Sequence, residues 1–163
     1  MLWNVASKRA ADTDANAGRI RLAQLNDLVG EVHPGVEVDV SFDEREDVNI
    51  SATYKDAALG GELRSLETAA TGLLQVIQIF AYIVLFRPKM ALIDEPDSHL
   101  DPDKQERLIE ALERAAAKFE TQIVLTTHSP HIVRAASPRA KLVWMADGEV
   151  NSDDDDAIQR MHG

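Results

Sequence analysis

Asp94 and Glu95 stand side by side where an apolar run ends, in the stretch MALIDEPDSHLDP from Met90 to Pro102. Adjacent carboxylates repel and raise the cost of ionising one another, so such a pair usually serves a cation, a phosphate or a reacting water. The first can hold Mg²⁺ through water, because that ion dehydrates reluctantly and works with nucleotide phosphates. The second, aimed differently, can orient or deprotonate the water that attacks a terminal phosphate. Taken alone, the pair reads first as a strand end with solvated acids. His128 in VLTTHSP adds an imidazole at the end of the neighbouring apolar run. A neutral imidazole can donate to a phosphate oxygen or help to hold the attacking water. By itself it would be a turn or capping histidine, since Ser129-Pro130 already reads as a helix start.

The elements around these residues must bring the two clusters together. Met90 to Ile93 and Gln122 to Thr127 read as short buried strands. A helix from Pro102 to about Lys118 separates them, with Asp101 as its cap and proline at its first position. Strand, helix, strand with so long a crossover implies parallel pairing, with a right-handed connection. Ligands on open α/β sheets bind at the carboxyl ends of strands, so both clusters fall on one edge of one sheet.

Upstream, residues 1 to about 30 read as helix, with Gly30 as a stop. Val36 to Phe42 and Val48 to Tyr54 alternate and predict an antiparallel hairpin across the charged DERED. The apolar run Gly72 to Phe86 predicts a buried helix ended by Arg87-Pro88, and it is too short to span a bilayer. Downstream come a helix around Pro130 to Ala136, KLVWMA, a turn at Asp147-Gly148 and an acidic tail.

Composition sets bounds on partners and location. The chain has 163 residues, enough for one domain, with 45% hydrophobic and 28% charged residues. No cysteine is present, so disulfides and thiolate metal sites are excluded. The first residues lack the apolar core of a signal peptide, which makes the cytoplasm the expected location. Lys and Arg number 17 against 28 Asp and Glu, a net charge of −11 that argues against a basic surface overall.

ALIDEPDSHLDP resembles the Walker B segment and D-loop of ATP-binding-cassette (ABC) ATPases. The resemblance implies that Asp94 is the Walker B aspartate on Mg²⁺, Glu95 the catalytic glutamate and His128 the switch histidine. Ser98 to Asp101 is similar to the D-loop. The THSP wording resembles the soluble branch that includes OLD-type (overcoming lysogenization defect) nucleases, AAA15/AAA21-type ATPases and SMC-related repair or chromosome-maintenance ATPases. The fold this implies is α/β, a partial P-loop NTPase-like domain. It has a parallel sheet core, flanking helices and an N-terminal antiparallel hairpin. Within 1–163 it comprises a helix over 1–30, the hairpin over 36–54, the lobe over 62–150 and the tail over 151–163.

Where the family has its signature motif this chain has ETAATGLLQ, with Thr71 and Gly72 as the nearest equivalents of its serine and glycine. A hydroxyl and free backbone N–H groups at a helix N-terminus still form an anion site; plain helix capping is the alternative. Gln75 reads only as a neighbour of that loop. No G-x-x-x-x-G-K-[ST] occurs, so the cradle for the β- and γ-phosphates is absent. The resemblance therefore implies a carboxyl-terminal part of a cassette. That part reads first as a fragment of a longer ATPase, with a split subunit or a degenerate partner lending Thr71 and Asp101 in trans as alternatives. ATP and Mg²⁺ would be bound with a Walker A lobe outside this chain, in an ATP-dependent dimer that holds ATP against the Thr71-Gly72 loop. Alone, the chain should bind and hydrolyse ATP poorly. Nucleic acid would meet the full assembly, and no membrane is implied.

Two other classes stand beside this reading. A metal-dependent nuclease could use Asp94, Glu95, Asp97 and Asp101 directly, although nuclease ligands generally converge from several elements. A non-catalytic interaction subunit could keep a cassette-like fold. The driven process could be DNA repair or phage defence. Ser152 to Asp156 read as solvated acids, His131 as a helix-face residue, Trp3 and Trp144 as packing aromatics, and His99 as a D-loop side chain that is solvent-exposed or reaches a subunit interface.

Overall fold

The computed structural model describes residues 15–41, 51–152 and 154–162. Helix α1 (Ala15–Val32) buries Leu25, Leu28, Val29 and Val32 at helical spacing. Gly30 lies inside this helix rather than ending it, because Val32 extends the same buried stripe by another half turn. Residues 1–14, where the first half of the expected helix and Trp3 fall, lie outside the described residues.

Strands β1 (Val36–Ser41) and β2 (Ser51–Asp56) pair antiparallel, with Val38 opposite Tyr54. The DERED connection lies outside the described residues. Val36, Val38 and Val40 face inward while Glu37 and Asp39 face out, the period of a half-buried strand. A third strand, β3 (Arg64–Ser65), pairs antiparallel with β2. Asn26 fastens α1 to this sheet, its side-chain amide donating to Val38 O at 2.9 Å and its carbonyl accepting from Val38 N at 2.8 Å.

Helix α2 (Thr71–Phe86) contributes Val76, Ile77, Phe80, Ala81, Ile83 and Val84 to the core and stops at Arg87, which turns into the left-handed region at φ 46°. Strand β4 (Met90–Asp94) then pairs in parallel with β5 (Gln122–Thr126) across α3 (Pro102–Phe119). Ala91, Ile93, Ile123 and Leu125 pack toward the core. The opposite face of this strand pair is bare, with Met90 51%, Leu92 75% and Val124 46% exposed. Parallel strands are ordinarily covered on both faces, so this apolar surface is exceptional.

Helix α4 (Pro130–Ala135) follows β5. A hairpin of β6 (Trp144–Ala146) and β7 (Glu149–Ser152) turns at Asp147-Gly148 and leads to α5 (Asp155–His162). The acid run is thus partly structural. Asp155 starts α5, accepts from Leu142 N at 2.8 Å and pairs with Lys141 at 3.5 Å. Among the described residues no helix is long and apolar enough to cross a membrane.

Candidate functional site

The parallel register sets Asp94 beside Thr126 at the carboxyl ends of β4 and β5. Thr126 Oγ1 donates to Asp94 Oδ1 at 2.5 Å. Glu95, the next residue, has φ 42°, a left-handed conformation that a side-chain-bearing residue adopts at a cost of about 1–2 kcal/mol. It is held there from both ends. Its N–H reaches Thr126 O and Thr126 Oγ1, each at 3.2 Å, and its carbonyl accepts from Gln75 Nε2 at 3.2 Å. The turn aims the carboxylate away from the strand and toward the neighbouring strand end. There Glu95 Oε1 lies 3.2 Å from His128 Nε2, with the His128 side chain 92% exposed and that of Glu95 47%. A pair this open contributes little to stability, so it yields readily to water or a phosphate oxygen.

The loop after Glu95 is tied to both flanking elements. Gln105 of α3 donates to Leu100 O at 2.8 Å and to Asp97 O at 3.3 Å, and its Oε1 accepts from Ser129 Oγ at 2.5 Å. The turn that carries His128 is therefore coupled to the loop that follows Glu95. On the other side, His99 Nδ1 lies 3.3 Å from Gln75 Oε1 and 3.1 Å from Ser98 Oγ. Asp97 is 7% exposed, and its buried Oδ1 has no hydrogen-bond partner among the described residues.

Helix α2 begins against this loop. Ala70 is its cap residue and makes no side-chain cap bond, so the cap side chain satisfies none of the first N–H groups. Thr71 is the exposed first helical residue. Gly72 is buried, and a Cβ there would stand 2.4 Å from His99 O and 2.9 Å from Leu100 Cδ2. Backbone contact with the loop thus requires glycine at this position. Neither Thr71 nor Gly72 caps the helix by its side chain.

Asp101 occupies the cap position of α3 but makes no side-chain cap bond; Lys104 Nζ takes its Oδ2 at 2.9 Å instead. That hydrogen bond holds the Asp101 carboxyl below the usual carboxylate range. His131 lies on α4, 3.4 Å from Glu106 and 3.2 Å from Arg134. Trp144, expected as a packing aromatic, is instead exposed on β6 at 37%.

The structure brings Asp94, Glu95 and His128 together and sets Thr71, Gly72 and Asp101 around the adjoining loop. The four carboxylates that a nuclease would need do not converge, since Asp97 is turned inward and Asp101 is engaged by Lys104. The described residues contain no group of three or more His, Cys, Asp or Glu placed to hold a metal. Mg²⁺ does not require one, as it keeps most of its waters and takes one or two carboxylates plus substrate phosphates. Asp94, with Oδ1 bonded to Thr126 and the residue exposed, suits that mode through Oδ2. Sequence reasoning missed Thr126 and Gln75. A threonine one residue before THSP was visible as a strand-end hydroxyl, whereas Gln75 carried no signal until α2 and Glu95 were placed together.

A family model described as "AAA domain, putative AbiEii toxin, Type IV TA system" matches residues 10–134. The probable ATP-binding protein YheS of Escherichia coli strain K12 is 38% identical over 65 residues, which are 40% of this chain and 10% of that protein. The chain therefore spans about a tenth of the length of that curated relative. The Septu protein PtuA of Bacillus thuringiensis is 46% identical over 48 residues, covering 29% of this chain and 12% of PtuA. Among solved structures, one from "Structural biochemistry of ATP-driven dimerization and DNA stimulated activation of SMC ATPases" superposes with a TM-score of 0.64 at 15% identity. That match covers 89% of this chain and 92% of the other, and it establishes the P-loop NTPase type of fold.

Proposed function

The chain belongs to this AAA-domain family, and from that premise we propose that it is the Walker B, D-loop and switch-histidine lobe of an ATP-hydrolysing, cassette-type ATPase. The observation that carries the reading is the 3.2 Å approach of Glu95 Oε1 to His128 Nε2, at adjoining strand ends beside Asp94. Glu95 orients the attacking water and accepts its proton as the bond to the γ-phosphate forms. His128 donates to a γ-phosphate oxygen, exchanging its contact with Glu95 for one with substrate. Asp94, held by Thr126, is the residue that would hold Mg²⁺. Bound there, the ion would neutralise charge on the β- and γ-phosphates.

The phosphate cradle comes from a Walker A lobe outside this chain. The exposed face of Met90, Leu92 and Val124 supports that reading, since it runs along the strands to the Asp94–Thr126 end and none of the described residues buries it. In the ATP-dependent dimer, Thr71 and the N-terminal amides of α2 meet the γ-phosphate held by the opposite subunit, with Gly72 and Asp101 shaping that contact. Dimerisation accords with the ATP-driven dimerization named for the structural relative.

The work driven by hydrolysis lies, on this proposal, in DNA repair or phage defence. The DNA-stimulated activation named for the same relative supports a nucleic-acid link. The net charge of −11 argues against direct contact by this lobe and favours contact through the full assembly. Mixing this chain with a Walker A-bearing lobe and measuring phosphate release tests the proposal. Release that needs both components and Mg²⁺ is expected; release by neither alone nor together would overturn it.

A further inference from the structure

Gln75 is the side chain that joins the start of α2 to the backbone of Glu95, and we propose that it is a positioning residue for the attacking-water carboxylate. Its amide is used at both ends. Nε2 donates to Glu95 O at 3.2 Å, and Oε1 lies 3.3 Å from His99 Nδ1. Because a carboxamide oxygen can only accept, this contact is a hydrogen bond when the imidazole carries a proton on Nδ1. The same Glu95 carbonyl accepts from Ser98 N at 3.3 Å.

These bonds matter because Glu95 has a backbone its residue type does not favour. At φ 42° it would relax toward the ordinary right-handed or extended regions unless neighbours fixed the peptide on each side. Thr126 fixes the peptide before it and Gln75 the peptide after it. A rotation of that second peptide would swing the carboxylate away from His128. Misplacement of a catalytic group by about 1 Å can cost 10²-fold in rate.

Gln75 also sits on the element that begins with Thr71 and Gly72, one turn after the exposed helix N-terminus. A displacement of that N-terminus by a phosphate is thereby passed to Glu95 and, through His99, to the loop after it. Gln75 makes the water-positioning carboxylate responsive to occupancy of the α2 terminus. This inference rests on the ATPase reading above, with Glu95 as the water-positioning group.

The test is steady-state ATP hydrolysis by the two-lobe assembly carrying Gln75→Met, Gln75→Glu, His99→Ala, the double variant Gln75→Met with His99→Ala, or Glu95→Gln as a reference. Gln75→Met keeps the volume and loses both bonds; Gln75→Glu keeps the acceptor for His99 and loses the donor to Glu95. Both are expected to lower kcat about 10–100-fold, with KM and melting temperature nearly unchanged. His99→Ala is expected to lower kcat less, and adding it to Gln75→Met to cost nothing further. Unchanged kcat in Gln75→Met, or multiplying losses in the double variant, would overturn the positioning role while Glu95→Gln remained inactive. Full activity in Glu95→Gln would overturn the underlying ATPase assignment instead.

Discussion

Thr126 holds Asp94 and Glu95 at once: its hydroxyl donates to Asp94 Oδ1 at 2.5 Å and lies 3.2 Å from the N–H of Glu95. One hydroxyl on the neighbouring strand thus sets the direction of both carboxylates. Thr126→Val keeps the shape and removes the hydroxyl. Since the residue is exposed, stability should change by less than about 1 kcal/mol. Hydrolysis by the two-lobe assembly should fall about tenfold, with more Mg²⁺ needed for half-maximal rate. A magnesium titration of the rate checks this.

Gly72 and Thr71 separate packing from ligand contact on one helix turn. Gly72→Ala places a methyl group against His99 O, at 2.4 Å before relaxation, and should cost about 1–3 kcal/mol. Thr71→Ala at the exposed neighbouring position should leave stability within about 0.5 kcal/mol while lowering nucleotide-dependent association. Thermal unfolding of both variants, beside sedimentation with and without ATP, distinguishes the two effects.

How much of this was legible in the sequence depends on the range of the interactions. The β4–α3–β5 unit followed from apolar runs and from Pro102, and its parallel register brought Asp94, Glu95 and His128 together as the spacing implied. Gly30 misled because glycine is a probable helix stop only where the buried stripe ends, and Val32 carries that stripe past it. Asp101 misled in a smaller way, since Lys104 competes for the carboxylate that would have capped α3. The two-residue strand β3 was too short for any alternation to register. The left-handed turn at Glu95 had no signature, because glutamate reaches that conformation only when Thr126 and Gln75 hold it there.

The bare strand face predicts where the completing lobe docks. Leu92 is 75% exposed, so Leu92→Asp should leave the melting temperature of this chain nearly unchanged. It should weaken capture of the Walker A lobe at least tenfold, because an unpaired charge would be buried at the contact. Equal binding by wild type and variant in a titration calorimeter would place that interface elsewhere.

His33 gives the fold a pH dependence of defined sign. Burial lowers its pKa, Lys104 lowers it further, and Asp56 and Asp101 oppose the shift. Its buried Nε2 has no hydrogen-bond partner among the described residues. The unfolded chain therefore binds the proton more readily, near pH 6.5, and stability rises with pH through that range. The contribution is intact above about pH 6.5 and is lost as pH falls toward the lowered folded value. His33→Gln should flatten this slope below about pH 6.5, as measured by urea midpoints.

Glu95→Gln in the two-lobe assembly tests whether Glu95 positions the water that attacks ATP. The amide keeps the side-chain shape and cannot take the water's proton. ATP binding and ATP-dependent association should persist while phosphate release falls about 10²–10⁴-fold, leaving the dimer trapped. Phosphate release at the wild-type rate would mean that Glu95 does not position the attacking water.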